Sequence, residues 1–246
     1  MNEKDKFFEN IRRSLGRDSV QVSEVENRER ELGLSNVSME NEARVAYLDA
    51  QNRSLELMAQ LFESASMSGW NVIQSKSLSD AAGHIARIVR EMDAKLLVSS
   101  NHEVIIDMKL SEYLEQIPVY TVPISIDNSS EELIGKEIRI QCEKADIGIT
   151  GVDFAIAETG SCVLVVRPGV GRLESLLPPV HIAVVRSGQI LSSLDELFAI
   201  RRMKHLMGDG EGYMSIITGP SRTADIQQKL ITGVHGPIHV HMILVQ

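Results

Sequence analysis

Two short runs near the C-terminus hold the densest grouping of residues able to do chemistry. The first is Thr218-Gly219-Pro220-Ser221-Arg222-Thr223-Ala224-Asp225-Ile226, and the second is Gly233-Val234-His235-Gly236-Pro237. The apolar run Ser215-Ile216-Ile217 leads into the first, and a helical pattern from Ile226 to Ile231 follows it. That order predicts strand, tight turn and helix. Ser221, Arg222 and Thr223 would then stand at a helix N-terminus, where free N–H groups and the macrodipole attract an anion and a guanidinium can clamp it bidentately. The alternative is that Ser221 or Thr223 only caps the helix and Arg222 is solvated. His235 adds an imidazole in a glycine turn just before the final strand.

A second group lies mid-chain in Asp153-Phe154-Ala155-Ile156-Ala157-Glu158-Thr159-Gly160-Ser161. Small and apolar residues separate its two carboxylates, so the segment is expected to be half-buried. A carboxylate there needs partners or a raised pKa. Glu158 is the preferred candidate as nucleophile, general base or substrate-orienting acceptor, because Thr159 and Ser161 put two hydroxyls beside it. The alternative reading is an acid that closes a turn through those hydroxyls. The run Arg167-Pro168-Gly169-Val170-Gly171-Arg172 has Glu174 where a dinucleotide fingerprint has its third glycine, so it is expected to be a turn between strands, with Arg172 a candidate to point into a site. His239 and His241 share one face of the last strand and His181 and His235 lie elsewhere, but their spacing matches no ligand pattern, and no metal is expected.

The elements that must position these groups follow from periodicity. Phe7, Phe8, Ile11 and Leu15 fall on one face of a short N-terminal helix within residues 1–16, which either packs on its own domain or docks a partner. Residues 17–41 are polar, acidic and aperiodic and read as a linker. From 42 to 246 short apolar strands alternate with amphipathic helices. A long helix is expected through Val45, Leu48, Leu55, Met58, Leu61, Phe62 and Ala65, ending at Gly69. A strand is expected over Trp70–Ile73, a helix over Leu78–Met92 and a strand over Leu96–Val98. Further strands are expected over Val119–Val122, Ile147–Thr150, Cys162–Val166, His181–Val185, Met214–Ile217 and Ile238–Val245, and further helices over Leu110–Tyr113, Glu131–Lys144 and Ser193–Met207. Only turn chemistry is expected between Val166 and His181. The pattern predicts a three-layer α/β domain with a mostly parallel sheet.

Composition narrows the function. The chain has 246 residues, 43% of them hydrophobic but only 4% aromatic, so its core is aliphatic. A net charge of −9 and a pI near 5.3 argue against general nucleic-acid binding. No apolar run approaches the roughly 20 residues of a membrane span, and residues 1–16 lack the apolar core of a secretory signal, so a cytoplasmic protein is expected. The two cysteines, Cys142 and Cys162, are expected to be reduced and buried, and cannot hold an iron–sulfur cluster.

DFAIAETGS, SLLPPVHI, ITGPSRTADI and GVHGP together resemble the LUD domain family. The resemblance runs from about residue 42 to 246. It implies a fold similar to the CoA-transferase, ribose-phosphate isomerase and glucosamine-phosphate isomerase group. It also implies a part in oxidising L-lactate to pyruvate beside two iron–sulfur companion proteins, with no cluster in this chain and a small carboxylate as ligand. By analogy with CoA transferases of that fold, Glu158 resembles an acyl-accepting glutamate in a small-residue turn, although no glycine-rich CoA loop accompanies it. Two expectations therefore stand side by side. One is a non-redox component of a lactate-oxidising assembly. The other is a self-sufficient enzyme acting on a small carboxylate or phosphate ester. In both, Glu158, Thr159 and Ser161 are expected to face Ser221, Arg222, Thr223 and His235 across one pocket at the C-terminal ends of the strands.

Overall fold

The alternating apolar runs assemble into an all-parallel six-stranded sheet. It comprises β1 (Asn71–Ser75), β2 (Leu96–Ser100), β3 (Tyr120–Ile124), β4 (Ile147–Gly151), β7 (Val180–Arg186) and β12 (His239–Val245). Their spatial order is β1-β12-β7-β4-β2-β3. The computed structural model describes residues 3–14, 36–124, 131–208, 213–226 and 229–246. β4 is buried along its whole length and β7 over nearly all of it, as a parallel sheet covered on both faces requires.

Helices α4 (Leu78–Glu91), α5 (Glu103–Met108) and α6 (Leu110–Leu114) cover one face. Ala81, Ile85 and Val89 of α4 meet Ile147, Ile182, Val184 and Ile243 there. Ser77 caps α4 by accepting from the Asp80 N–H at 3.1 Å. The other face is covered in two parts. Near β2 lie α7 (Glu131–Lys144) and the single turn α8 (Leu173–Leu176), which bury Cys142 and Ala145 against Val98. Over β7, β12 and β1 lies a second, four-stranded sheet of order β8-β5-β6-β9, from β5 (Phe154–Ile156), β6 (Ser161–Val165), β8 (Ile190–Leu191) and β9 (Met214–Ile217). Helices α2 (Asn36–Asn52), α3 (Ser54–Ser68) and α9 (Leu194–Leu206) pack into that layer, and together they form the larger apolar core. A hairpin of β10 (Arg222–Ile226) and β11 (Lys229–Thr232) precedes β12, and α1 (Glu3–Ser14) stands at the N-terminus. Phe7 and Ile11 of α1 are exposed.

Several expectations are corrected. The segment after Ser221 is not a helix: Arg222 and Thr223 pair with Thr232 and Ile231 in an antiparallel hairpin. Residues 222–226 carry only Ala224 and Ile226 as apolar side chains, too few to fix a period, so the pairing with Lys229–Thr232 decides the element. The long helix from residue 42 is two helices, and the first begins at Asn36, inside the expected linker; residues 17–35 lie outside the described residues. Its buried face is Ala43, Ala46 and Ala50, whereas Val45 and Leu48 are exposed. Three alanines at helical spacing let α2 approach α9 closely, which the larger apolar side chains of the expected face would prevent. The break falls at Arg53, whose guanidinium bonds Asp49 at 2.7 Å and Glu56 at 2.8 Å across it. Finally, β6 and β7 belong to different sheets, with α8 between them.

Glu174 of α8 is fully buried, and neither carboxylate oxygen has a hydrogen bond of good geometry. Burial raises its pKa, and the N–H groups of Glu174 and Gly171 offset only part of that. A carboxyl raised on folding stabilises least at high pH: stability falls as pH rises from the unfolded-state value of about 4.3 through the folded one. Glu174→Gln, which cannot ionise, is therefore expected to match or exceed the wild type in urea unfolding at pH about 8, and to lose that advantage as pH approaches about 4. A variant equally destabilised at both pH values would mean that the carboxylate is charged and paired.

Candidate functional site

The two C-terminal motifs and the mid-chain turn do come together, around the C-terminal end of α3. The Ser161 hydroxyl bonds that of Thr159 and that of Thr218, each at 2.7 Å. The Ser68 hydroxyl donates to the Thr159 carbonyl at 3.0 Å, and Arg222 Nη2 donates to the Ser68 carbonyl at 3.0 Å. Arg222 thus satisfies a carbonyl at a helix end, where a cation also complements the dipole. Gly219 has φ of +75°, and a Cβ on it would lie 2.1 Å from the Ser68 carbonyl oxygen, so only glycine fits this turn. The Ser221 N–H donates to Pro237 O at 3.0 Å, and the Gly233 N–H donates to Ser221 O at 2.9 Å, which ties the two motifs to each other.

Other candidates point elsewhere. Glu158 Oε1 accepts the Leu194 N–H at 2.8 Å, at the start of α9. Arg172 reaches the Tyr213 hydroxyl at 2.5 Å, with its guanidinium carbon 5.1 Å from the Tyr213 ring centre. His235 is exposed on its turn, and Thr223 sits half-buried in the hairpin opposite Ile231. The expected position is also corrected. Gly69, Gly233 and Pro179 precede β1, β12 and β7, so the motif cluster lies at the N-terminal edge of the parallel sheet. It is only in the smaller sheet that β5, β8 and β9 end near it. The reason is topological: the hairpin feeds β12 and α3 feeds β1, so both deliver their turns to strand starts.

The C-terminal edge of the parallel sheet holds a different group. After β2 the chain moves to β3 over one face; after β4 it moves towards β7 over the other. The crevice between β2 and β4 is therefore a switch point, where open α/β sheets bind ligands. His102 follows β2 and Asp153 follows β4. The imidazole is buried against Gly151, and its Nδ1 accepts the Val104 N–H at 3.3 Å, which assigns the ring proton to Nε2. Nε2 faces Asp153 Oδ1 at 3.7 Å. Arg167 Nη1 donates to Asp153 Oδ1 at 2.8 Å and to the Val165 carbonyl at 3.0 Å, and the Val165 N–H donates to Asp153 Oδ2 at 2.7 Å. Burial alone would raise the Asp153 carboxyl, but His102, the Val165 N–H and Arg167 outweigh it and hold it below the ordinary range.

A cavity of about 440 Å³ opens over this group, lined also by Tyr47 of α2 and by Arg201 and Lys204 of α9. Burial raises the Tyr47 hydroxyl, only partly offset by Arg201, so it stays a protonated donor at neutral pH. The sequence offered little sign of the cavity. Asp153 was visible as a half-buried acid, but His102, Arg167 and Lys204 are scattered along the chain. Other buried polar atoms lie apart from it: His181 Nε2 bonds Thr150 Oγ1 at 2.8 Å, while His181 Nδ1 and Trp70 Nε1 have no partner. Burial and then His241 push His181 down to about 3, so the ring is neutral. Burial pushes both thiols up to about 12, Cys142 also through Glu174, so neither is a thiolate nucleophile. Among the described residues no three His, Cys, Asp or Glu side chains are grouped to hold a metal, and no helix is long and apolar enough to cross a membrane.

Residues 58–245 match the LUD domain. The chain belongs to the LUD domain family. Relatives called lactate utilization protein C include one from Macrococcus caseolyticus, 41% identical over 118 residues, which cover 47% of this chain and 50% of that one. Another, from Halalkalibacterium halodurans, is 32% identical over 165 residues, 66% of this chain and 67% of that one. The chain thus spans about half to two thirds of the relatives it matches. A crystal structure of a DUF162 family protein from Deinococcus radiodurans shares the fold, with a TM-score of 0.51 and 20% identity over 78% of this chain and 98% of that one.

Proposed function

We propose that this LUD-family chain is a cytoplasmic, cluster-free subunit of an L-lactate utilisation system, working with two iron–sulfur proteins that carry the electrons from L-lactate as it becomes pyruvate. The observation that carries the reading is the family membership together with relatives called lactate utilization protein C. Its geometry supports a binding rather than an electron-carrying part: both cysteines are buried and free, and a cation-lined cavity sits at the ligand-binding edge of the sheet. The reading as a stand-alone enzyme with Glu158 as nucleophile gains less support, because that carboxylate accepts a helix-terminal N–H. In the favoured reading, the Thr159–Ser161–Thr218 hydroxyl chain and Arg222 frame the fold around α3, and Ser221, Thr223, Arg172 and His235 belong to that frame or to a partner surface.

Deleting the chain's gene should abolish growth on L-lactate as sole carbon source, with restoration by a plasmid copy. Lactate-dependent dye reduction by the co-purified assembly should fall when this subunit is omitted, and the isolated chain should be colourless. Undiminished growth of the deletion strain on lactate, or stoichiometric iron or flavin in the isolated chain, would overturn the proposal.

A further inference from the structure

We propose that the cavity at the β2/β4 switch point binds one small 2-oxo or 2-hydroxy carboxylate, clamped by Arg167 and Lys204; the choice of acid rests on the reading above. Three observations carry it. First, Arg167 is held from behind. Its Nη1 end is fixed by Asp153 and the Val165 carbonyl, and Asp153 is itself fixed by the Val165 N–H and by His102. A guanidinium anchored at one end presents its Nε and Nη2 donors in a preset fork, which matches a carboxylate bidentately at little further entropic cost.

Second, the lining charges do not cancel. Arg167 and Lys204 stand against Asp153, an excess of one positive charge, and the other acid of the lining, Glu103, faces Arg186 at 3.9 Å. One singly charged anion neutralises the cavity. Third, its volume of about 440 Å³ lies in the range of small-molecule sites, roughly 300–1,000 Å³. Tyr47 lines the same space, and its hydroxyl, protonated at neutral pH, is a donor suited to the oxygen on C2 of a 2-oxo or 2-hydroxy acid. His102 and Asp153 are positioning residues in this arrangement: both are spent on holding Arg167.

The test is titration of the full chain, at low salt, with pyruvate, L-lactate, acetate and inorganic phosphate, followed by calorimetry or NMR. Pyruvate or L-lactate should bind saturably with one site per chain and more tightly than acetate. Lys204→Met, at a half-buried helix position, should weaken binding roughly tenfold, the scale of one charge-assisted hydrogen bond. Tyr47→Phe should bring the affinity for pyruvate or lactate down to that for acetate. Arg167→Gln should abolish binding; if it fails to fold, Lys204→Met decides. Three results would each overturn the assignment: no saturation by either acid at millimolar concentrations, saturation by phosphate alone, or wild-type affinity in Lys204→Met. None of these requires the lactate system. A chain needed for growth on lactate that binds neither acid refutes the cavity assignment alone, and binding by a chain dispensable for that growth refutes the functional proposal alone.

Discussion

Gly148→Ala should be among the most damaging single-methyl changes in this chain. Gly148 lies in β4, in the interior of the parallel sheet, and a Cβ there would sit 1.7 Å from the carbonyl oxygen of Glu174 and 2.8 Å from its carbonyl carbon. Both obstacles are backbone, so no side chain can rotate away. The added methyl must push α8 off the sheet and open the contacts of Leu173 and Leu177 with Val98. The cost belongs at the upper end of overpacking penalties, about 3 kcal/mol or more. For a domain of this size that is a fall in Tm on the order of 10 °C. Gly83→Ala is the matched control, since Gly83 lies in α4 with nothing within 4 Å of a new Cβ. It should leave the protein unchanged or stabilise it by up to about 1 kcal/mol through helix propensity. Thermal unfolding of both variants measures the contrast, and equal Tm values would show that α8 does not rest on Gly148.

Asp153→Ala should combine a stability loss with loss of the cavity's anchored arginine. The substitution strips Arg167 of its carboxylate, the Val165 N–H of its acceptor and His102 of its facing charge. Breaking a buried pair from one side costs about 3–5 kcal/mol, and since the side chains here are 16% and 27% exposed the lower end applies, about 3 kcal/mol. The pH dependence follows from the depressed carboxyl. A folded-state value below the unfolded one of about 3.9 gives stability that is fully present above that pH and lost as pH falls through the folded value. The gap between wild type and Asp153→Asn in urea midpoints should therefore be widest near neutrality and close as the solution is acidified below about pH 4. A gap that stays constant down to the acid transition would show that the charge of Asp153 contributes nothing.

The clearest reading from sequence concerned local elements with strong periods. The helix expected over Leu78–Met92 is legible because Ala81, Ile85 and Val89 repeat at helical spacing, and it runs over Leu78–Glu91. The runs at Ile147 and His181 were legible as buried strands because they are unbroken and apolar. Face and pairing were harder. Val45 and Leu48 look like core but face outward, since the alanine stripe beside them permits the closer approach of α9, and helix periodicity alone cannot rank a small face against a large one. Residues 222–226 and 229–232 became a hairpin because each offers the other a ladder of hydrogen bonds, a nonlocal gain invisible within either run.

The site divides along the same line. By itself the sequence determined the family, through DFAIAETGS, ITGPSRTADI and GVHGP, and the α/β class, through alternating periods; of the expected grouping of Glu158, Thr159 and Ser161 with Ser221, Arg222, Thr223 and His235, it is Thr159, Ser161 and Arg222 that meet around the end of α3. Motifs contiguous in the chain announce their turns, because a glycine, a proline and a hydroxyl act on their neighbours. Only the tertiary structure decided that these turns gather at strand starts around the end of α3, and that His102, Asp153, Arg167 and Lys204 share a cavity. Those four arrive from β2, β4, β6 and α9, and their meeting depends on the strand order that sends the chain one way after β2 and the other way after β4. Strand order follows from how whole layers bury their apolar faces, a property of the assembled sheet rather than of any segment in it.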